Sequence, residues 1–418
     1  MKQLSTLFML LVLSLFGYSQ SQPSQPVTGP GGSAYTFGGV TQFDYATNGN
    51  GQDFWLYEPN GPVPDSANVV VFIHGLGETN PKLYGAFIKH LVRKGNIVIY
   101  PRYQRDLNSD NATFSDSCAK GIQRALDTLQ QPGHVKPRLQ NFFILGHSVG
   151  GILTANMSTR YAMYGLPKPL TAFSMQPGAQ IAALLLNNYN TMDADIKYLV
   201  LVGTDDIIVG TTTGQQLYNE TTSIPTSHKN LIQHYADTYG NPDITATHFD
   251  PLAGDAAFDN GESNLFILAS GSGPVDAYDY YCTWKLQDAL MDCALHGTNC
   301  DVAFGDTYQQ KFMGNWSDGT PVRPLVVTPS SNNAIPETEL VKSSVYPNPA
   351  TNAAIIMLAQ DMEGTLTIND ITGRVIRQQS FKGAQVAVDL SGLPKGLYYY
   401  TIDNAQSLSY SKGKIVKQ

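Results

Sequence analysis

Ser148 stands in the pentapeptide Gly146-His147-Ser148-Val149-Gly150, after the apolar run FFILG (142–146) and before the helix-forming stretch ILTANMSTRYAM (152–163). A G-x-S-x-G between a buried strand and a helix lets the chain turn sharply on small residues and hold the serine at a strained apex. In a chain of 418 residues with 38 glycines the bare pattern is weak, and its context gives it force. A serine hydroxyl is itself a poor nucleophile. Attack on a carbonyl needs a base to take its proton, an acid to orient that base, and N–H donors for the oxyanion that forms.

Each of these partners has a candidate. The run VVVFI (69–73) ends in His74-Gly75-Leu76-Gly77. These residues could be a simple glycine turn, but they resemble the HG loop of esterases and lipases. That resemblance implies an oxyanion hole made by the backbone N–H groups of Leu76 and Val149. The run KYLVLVG (197–203) leads into Thr204-Asp205-Asp206, similar to the G-x-x-D that follows the acid-bearing strand in such enzymes. This register selects Asp206, with Asp205 as the alternative acid or as a cap of the next helix.

The triad order of that fold is nucleophile, acid, histidine, so the base should lie downstream of Ser148. Four of the eight histidines do: His228, His234, His248 and His296. His234 lies inside an apolar run expected to be the strand after the acid, and His228 precedes that strand. His248 follows it in a loop and is the chosen base. His296 ends an amphipathic segment (278–295) and is the runner-up, its other role being a cation at a helix C-terminus. Tyr100, Tyr103, Gln176 and Trp284 are candidate pocket liners, or core and surface residues.

These elements require a scaffold, and the chain supplies its pattern. Continuous apolar runs at 68–73, 96–100, 142–146, 171–175 and 198–203 alternate with helix-length segments, as buried parallel strands do. The fold class expected is α/β. From residue 75 to 248 the motifs resemble the α/β-hydrolase superfamily, in particular its carboxylesterases, lipases and chlorophyllase- or cutinase-like lineages. The resemblance implies a serine esterase working through an acyl-enzyme, with no metal or organic cofactor. A serine peptidase and a non-catalytic surface binding protein on the same fold are the rival readings. Only about 46 residues separate Ser148 from the acid strand, too few for a large lid.

Four cysteines lie in the central region, and spacing favours Cys293 with Cys300, leaving Cys118 with Cys282 by elimination. Residues 1–19, with Lys2, an apolar core at 7–16 and small residues after it, read as a signal peptide rather than a membrane anchor, being too short to span. Residues 20–51 form a polar leader loop, 52–323 the catalytic domain, and 324–342, rich in proline, serine and asparagine, a linker. Beyond it, residues 343–418 alternate like the strands of a small all-β sandwich. VYPNPA (345–350), DITGRVI (370–376), LPKGLYYY (393–400) and the basic end KGKIVKQ (412–418) resemble the C-terminal sorting domain, type A, of type IX secretion cargo. This resemblance implies export through the periplasm and recognition by outer-membrane secretion machinery, the alternative being a carbohydrate-binding or adhesive module. A net charge of −8 without a basic cluster argues against nucleic acid as a partner.

Overall fold

The computed structural model describes residues 20–46, 53–106, 108–178, 182–262, 273–328, 342–370, 375–403 and 410–418. The expected signal peptide, most of the linker and part of the DITGRVI motif lie outside the described residues. The chain divides into two compact units, Met1–Asn332 and Asn333–Gln418.

The first unit is built on nine strands: β1 (Gly39–Asp44), β2 (Asp53–Asn60), β3 (Ser66–Ile73), β4 (Asn96–Arg102), β5 (Lys136–His147), β6 (Thr171–Met175), β7 (Lys197–Gly203), β8 (Lys229–His234) and β9 (Val326–Thr328). Their order in the sheet is β1-β2-β4-β3-β5-β6-β7-β8-β9. The run from β4 to β8 is parallel, while β1, β2 and β9 are antiparallel additions at the edges. The principal helices are α1 (Gly85–Arg93), α2 (Phe114–Thr128), α3 (Val149–Arg160), α4 (Thr212–Glu220) and α5 (Trp284–His296).

Both faces of the sheet are covered, which is why its strands read as continuous apolar runs. In β3, Val70 and Phe72 pack in one core with Phe87 and Leu91 of α1 and Leu286 and Leu290 of α5. Val69, Val71 and Ile73 of the same strand pack in the other, with Ile122 of α2 and Ile152 and Leu153 of α3.

That two-sided arrangement corrects one expected disulfide. Cys293 and Cys300 are bridged, but Cys118 and Cys282 are free and buried. Cys118 belongs to the core on the α2 face and Cys282 to the core on the α5 face, so the sheet stands between them. The leader stretch also differs from a plain loop. It contributes β1, an edge strand whose polar residues and glycine conceal it in the sequence. Ahead of β1 it is fastened to the domain, with Gly31 N–H donating to Asp288 at 2.9 Å.

The second unit is antiparallel: β10 (Ser343–Tyr346), β11 (Ala353–Asn369), β12 (Val375–Asp389), β13 (Gly396–Asp403) and β14 (Tyr410–Lys417). The β11–β12 register shifts between Met357 and Met362. Residues from both sides of that shift, Ile356 with Leu366 and Ile368, share one core with Val386, Tyr400 and Ile415.

Candidate active site

Ser148 sits where β5 gives way to α3, at φ 56° and ψ −122°. A positive φ in a non-glycine residue is strained and is held only when its neighbours dictate it. Here they do. A Cβ on Gly146 would lie 2.4 Å from the Gly150 carbonyl oxygen, and one on Gly150 would lie 2.1 Å from the carbonyl oxygen of Ile73. Glycine at both positions lets the helix start directly against β3 and β5. The turn is then pinned by Ser148 N–H donating to the Met175 carbonyl at 3.0 Å.

From this apex a line of hydrogen bonds runs across the carboxyl ends of the strands. The Ser148 hydroxyl is 3.0 Å from His248 Nε2, and His248 Nδ1 is 2.7 Å from Asp206 Oδ2. Asp206 is on the loop after β7, where its other oxygen accepts the N–H groups of Ile208 and Val209 at 2.9 and 3.0 Å. Burial pushes the Asp206 carboxyl up, but the His248 and backbone hydrogen bonds outweigh it and hold it below its ordinary value. For His248 burial dominates in the opposite sense. It lowers the imidazole below its ordinary value, reinforced by the His147 charge and opposed by Asp206.

The loop carrying His248 is braced from several sides. Asp250 accepts from Thr247 N–H at 2.7 Å, from the Thr247 hydroxyl at 2.8 Å and from the Thr245 hydroxyl at 2.6 Å. Gln176 donates to the Thr247 carbonyl at 2.8 Å. Burial pushes the Asp250 carboxyl up to about 6, against the pull of the threonine bonds.

Leu76 lies between two fastened amides. Gly75 N–H donates to Glu78 Oε2 at 3.0 Å and Gly77 N–H to Gln104 Oε1 at 2.7 Å. Val149 is the first residue of α3, where N–H groups lack intrahelical acceptors and the helix dipole favours negative charge. His74, at the root of the same loop, stacks on Tyr103 with ring centroids 4.3 Å apart. Burial lowers it to about 4, so it is neutral at neutral pH.

The other candidates lie elsewhere. Asp205 is exposed and accepts from the Thr204 hydroxyl at 3.2 Å, whereas His248 pairs with Asp206. His234 ends β8 with its ring against Tyr278. His296 is exposed at the end of α5, beside a cavity of about 200 Å³ that Lys94 and Asp292 also line. None of the four candidate liners is open to solvent. Tyr100 and Tyr103 donate to the carbonyls of Glu78 and His74 at 2.7 and 2.9 Å and so hold the loop after β3, Gln176 braces the His248 loop, and Trp284 packs on His90.

Sequence reasoning passed over Glu78, Tyr84, His147 and Asp250. Three of them stand close to the residues singled out there, Glu78 directly after Gly77, His147 directly before Ser148 and Asp250 two residues after His248, and that proximity was the available signal. Among the described residues no cluster of three His, Cys, Asp or Glu side chains could hold a metal ion. Between α3 and β7 the described residues form only β6 and a three-residue 3-10 turn, with no lid helix.

Comparison with known proteins adds two matches. Residues 62–175 match the chlorophyllase family model, from just before β3 through the HG loop and the Ser148 turn to the end of β6. Residues 344–418 match the secretion system C-terminal sorting domain, which marks the protein for type IX secretion to the cell surface or beyond and implies contact with that machinery. No curated protein matches the chain. The chain thus joins a mostly parallel α/β body, similar over residues 62–175 to the chlorophyllases, an α/β-hydrolase-like family, to a C-terminal β domain matched by the type IX sorting model.

Proposed function

We propose that the protein is a secreted serine hydrolase of carboxylic esters. The observation that carries this reading is the continuous line from Asp206 through His248 to Ser148. His248 takes the proton of Ser148 as its oxygen attacks the ester carbonyl. Asp206 holds the tautomer with Nδ1–H and stabilises the imidazolium. The N–H groups of Leu76 and Val149 receive the oxyanion. His248 then protonates the leaving alcohol, and water, activated by the same histidine, releases the acid from the acyl-enzyme. The acid and the base lie outside the matched chlorophyllase segment, so the triad assignment rests on geometry. In this reading residues 1–19 are a signal peptide removed on export.

The test uses Ser148→Ala. A fluorophosphonate should label the wild-type protein and not the variant, and hydrolysis of p-nitrophenyl esters should fall by several orders of magnitude, because the triad works as one unit. Hydrolysis of aminoacyl anilides by the wild type would make it a peptidase instead. An unlabelled, inactive wild type would make it a binding protein.

A further inference from the structure

Beneath the triad lies a second, fully buried polar cluster. Glu78 comes from the loop after β3, Tyr84 from the 3-10 turn Pro81–Tyr84, and His147 is the last residue of β5, next to Ser148. His147 Nε2 is 2.8 Å from the main-chain carbonyl oxygen of His248, an atom that only accepts, so Nε2 bears a hydrogen. Nδ1 of the same ring is 2.8 Å from the Tyr84 hydroxyl and 3.2 Å from Glu78 Oε2. Tyr84 donates its hydroxyl hydrogen to that Oε2, and Gly75 N–H donates to it at 3.0 Å. Donors from three segments converge on one oxygen, surroundings that suit an ionised carboxylate facing a ring protonated on both nitrogens. Burial raises the Glu78 carboxyl, yet the His147 charge and the hydrogen bonds of His147 and Tyr84 hold it below its ordinary value.

We propose that Glu78 and His147 are positioning residues, a buried carboxylate–imidazolium pair bridged by Tyr84 that locks the oxyanion loop at Gly75 to the backbone of the base at His248. The inference rests on the triad reading above. Its consequence is that the two halves of the catalytic apparatus, the hole and the base, are set by one shared element. The pair is also close enough to act electrostatically, the His147 and His248 rings being 4.8 Å apart. The charged groups facing His248 are Asp206 on one side and His147 with Glu78 on the other.

The experiment compares Glu78→Gln, His147→Asn and the double variant on a soluble p-nitrophenyl ester. Each single change should lower kcat roughly 10- to 100-fold with KM changed less than about two-fold, since displacement of the hole or the base is felt in the transition state. The double variant should be no more than about three-fold worse than the poorer single variant, because both break the same link. The acid limb of kcat/KM supplies a readout that packing alone would not move. His147→Asn removes a cation and leaves the Glu78 carboxylate, so the limb should move to higher pH. Losses that multiply, or an unmoved limb in His147→Asn, overturn the proposal. If His147→Asn does not fold, Tyr84→Phe replaces it in the cycle with Glu78→Gln, and multiplying losses count in the same way. Fluorophosphonate labelling of wild type and of Ser148→Ala separates this failure from failure of the triad itself.

Discussion

In the proposed mechanism His248 must be neutral before it can take the Ser148 proton, and its surroundings favour that form. Burial and the His147 charge lower it, Asp206 opposes them, and the net position is below the ordinary imidazole value. A lowered value favours the neutral imidazole, so the acid limb of kcat/KM should lie below the pH at which an ordinary imidazole titrates. A pH profile on a soluble ester checks this, and a midpoint at or above that of an ordinary imidazole would contradict it. The same assay separates the two surviving histidines. His248→Ala should cost turnover about as heavily as Ser148→Ala, since the serine loses the only imidazole within reach among the described residues. His296→Ala should leave kcat within about two-fold and cost roughly 1 kcal/mol of stability or less, through a lost helix-end interaction. The opposite ranking would move the base to His296.

At the scale of elements, the turn at Ser148 depends on how closely α3 approaches β3. An added methyl at Gly150 would meet the carbonyl oxygens of Ile73 and His74 at 2.1 and 2.5 Å. Neither is a flexible side-chain end, so α3 must retreat. Gly150→Ala should therefore cost about 1–3 kcal/mol, lowering the melting temperature by several degrees, and should depress kcat by shifting Val149 N–H relative to Leu76. Normal kcat with a lowered melting temperature would show that the hole tolerates the shift. The parallel strands were legible in the sequence because burial on both faces makes β3, β5, β6 and β7 continuous apolar runs that cannot be disguised. The edge strand β1 was not. It has one partner, part-exposed polar residues and a glycine, so no apolar pattern is imposed on it. Local spacing likewise identified Cys293 and Cys300, whereas Cys118 and Cys282 were joined by elimination, an argument blind to the sheet lying between them. Glu78 and His147 escaped notice because their meaning lies in contacts between segments about seventy residues apart.

At the scale of the whole molecule, the two units carry separate cores. The tail was readable because four motifs in order over about seventy residues constrain more than any single turn does. The boundary ahead of it was less so, since the short strand β9 at Val326–Thr328 still pairs with β8 and belongs to the first sheet. A cut made at 323 would strip that strand away and expose the edge of β8. A cut after Asn332 should instead leave the first unit folded, because its core keeps Val322, Leu325 and Val327 and its sheet keeps β9. On a soluble ester the shortened protein should keep kcat and KM within about two-fold of the full chain. Expressed in a host with type IX secretion, it should stay with the cells while the full chain reaches the surface or the medium, since the matched sorting domain at 344–418 is gone. Kinetics on the purified protein and fractionation of the cells measure the two effects independently. Loss of activity in a folded, shortened enzyme would make the tail part of the catalytic body. Unchanged delivery would remove its role as the sorting signal.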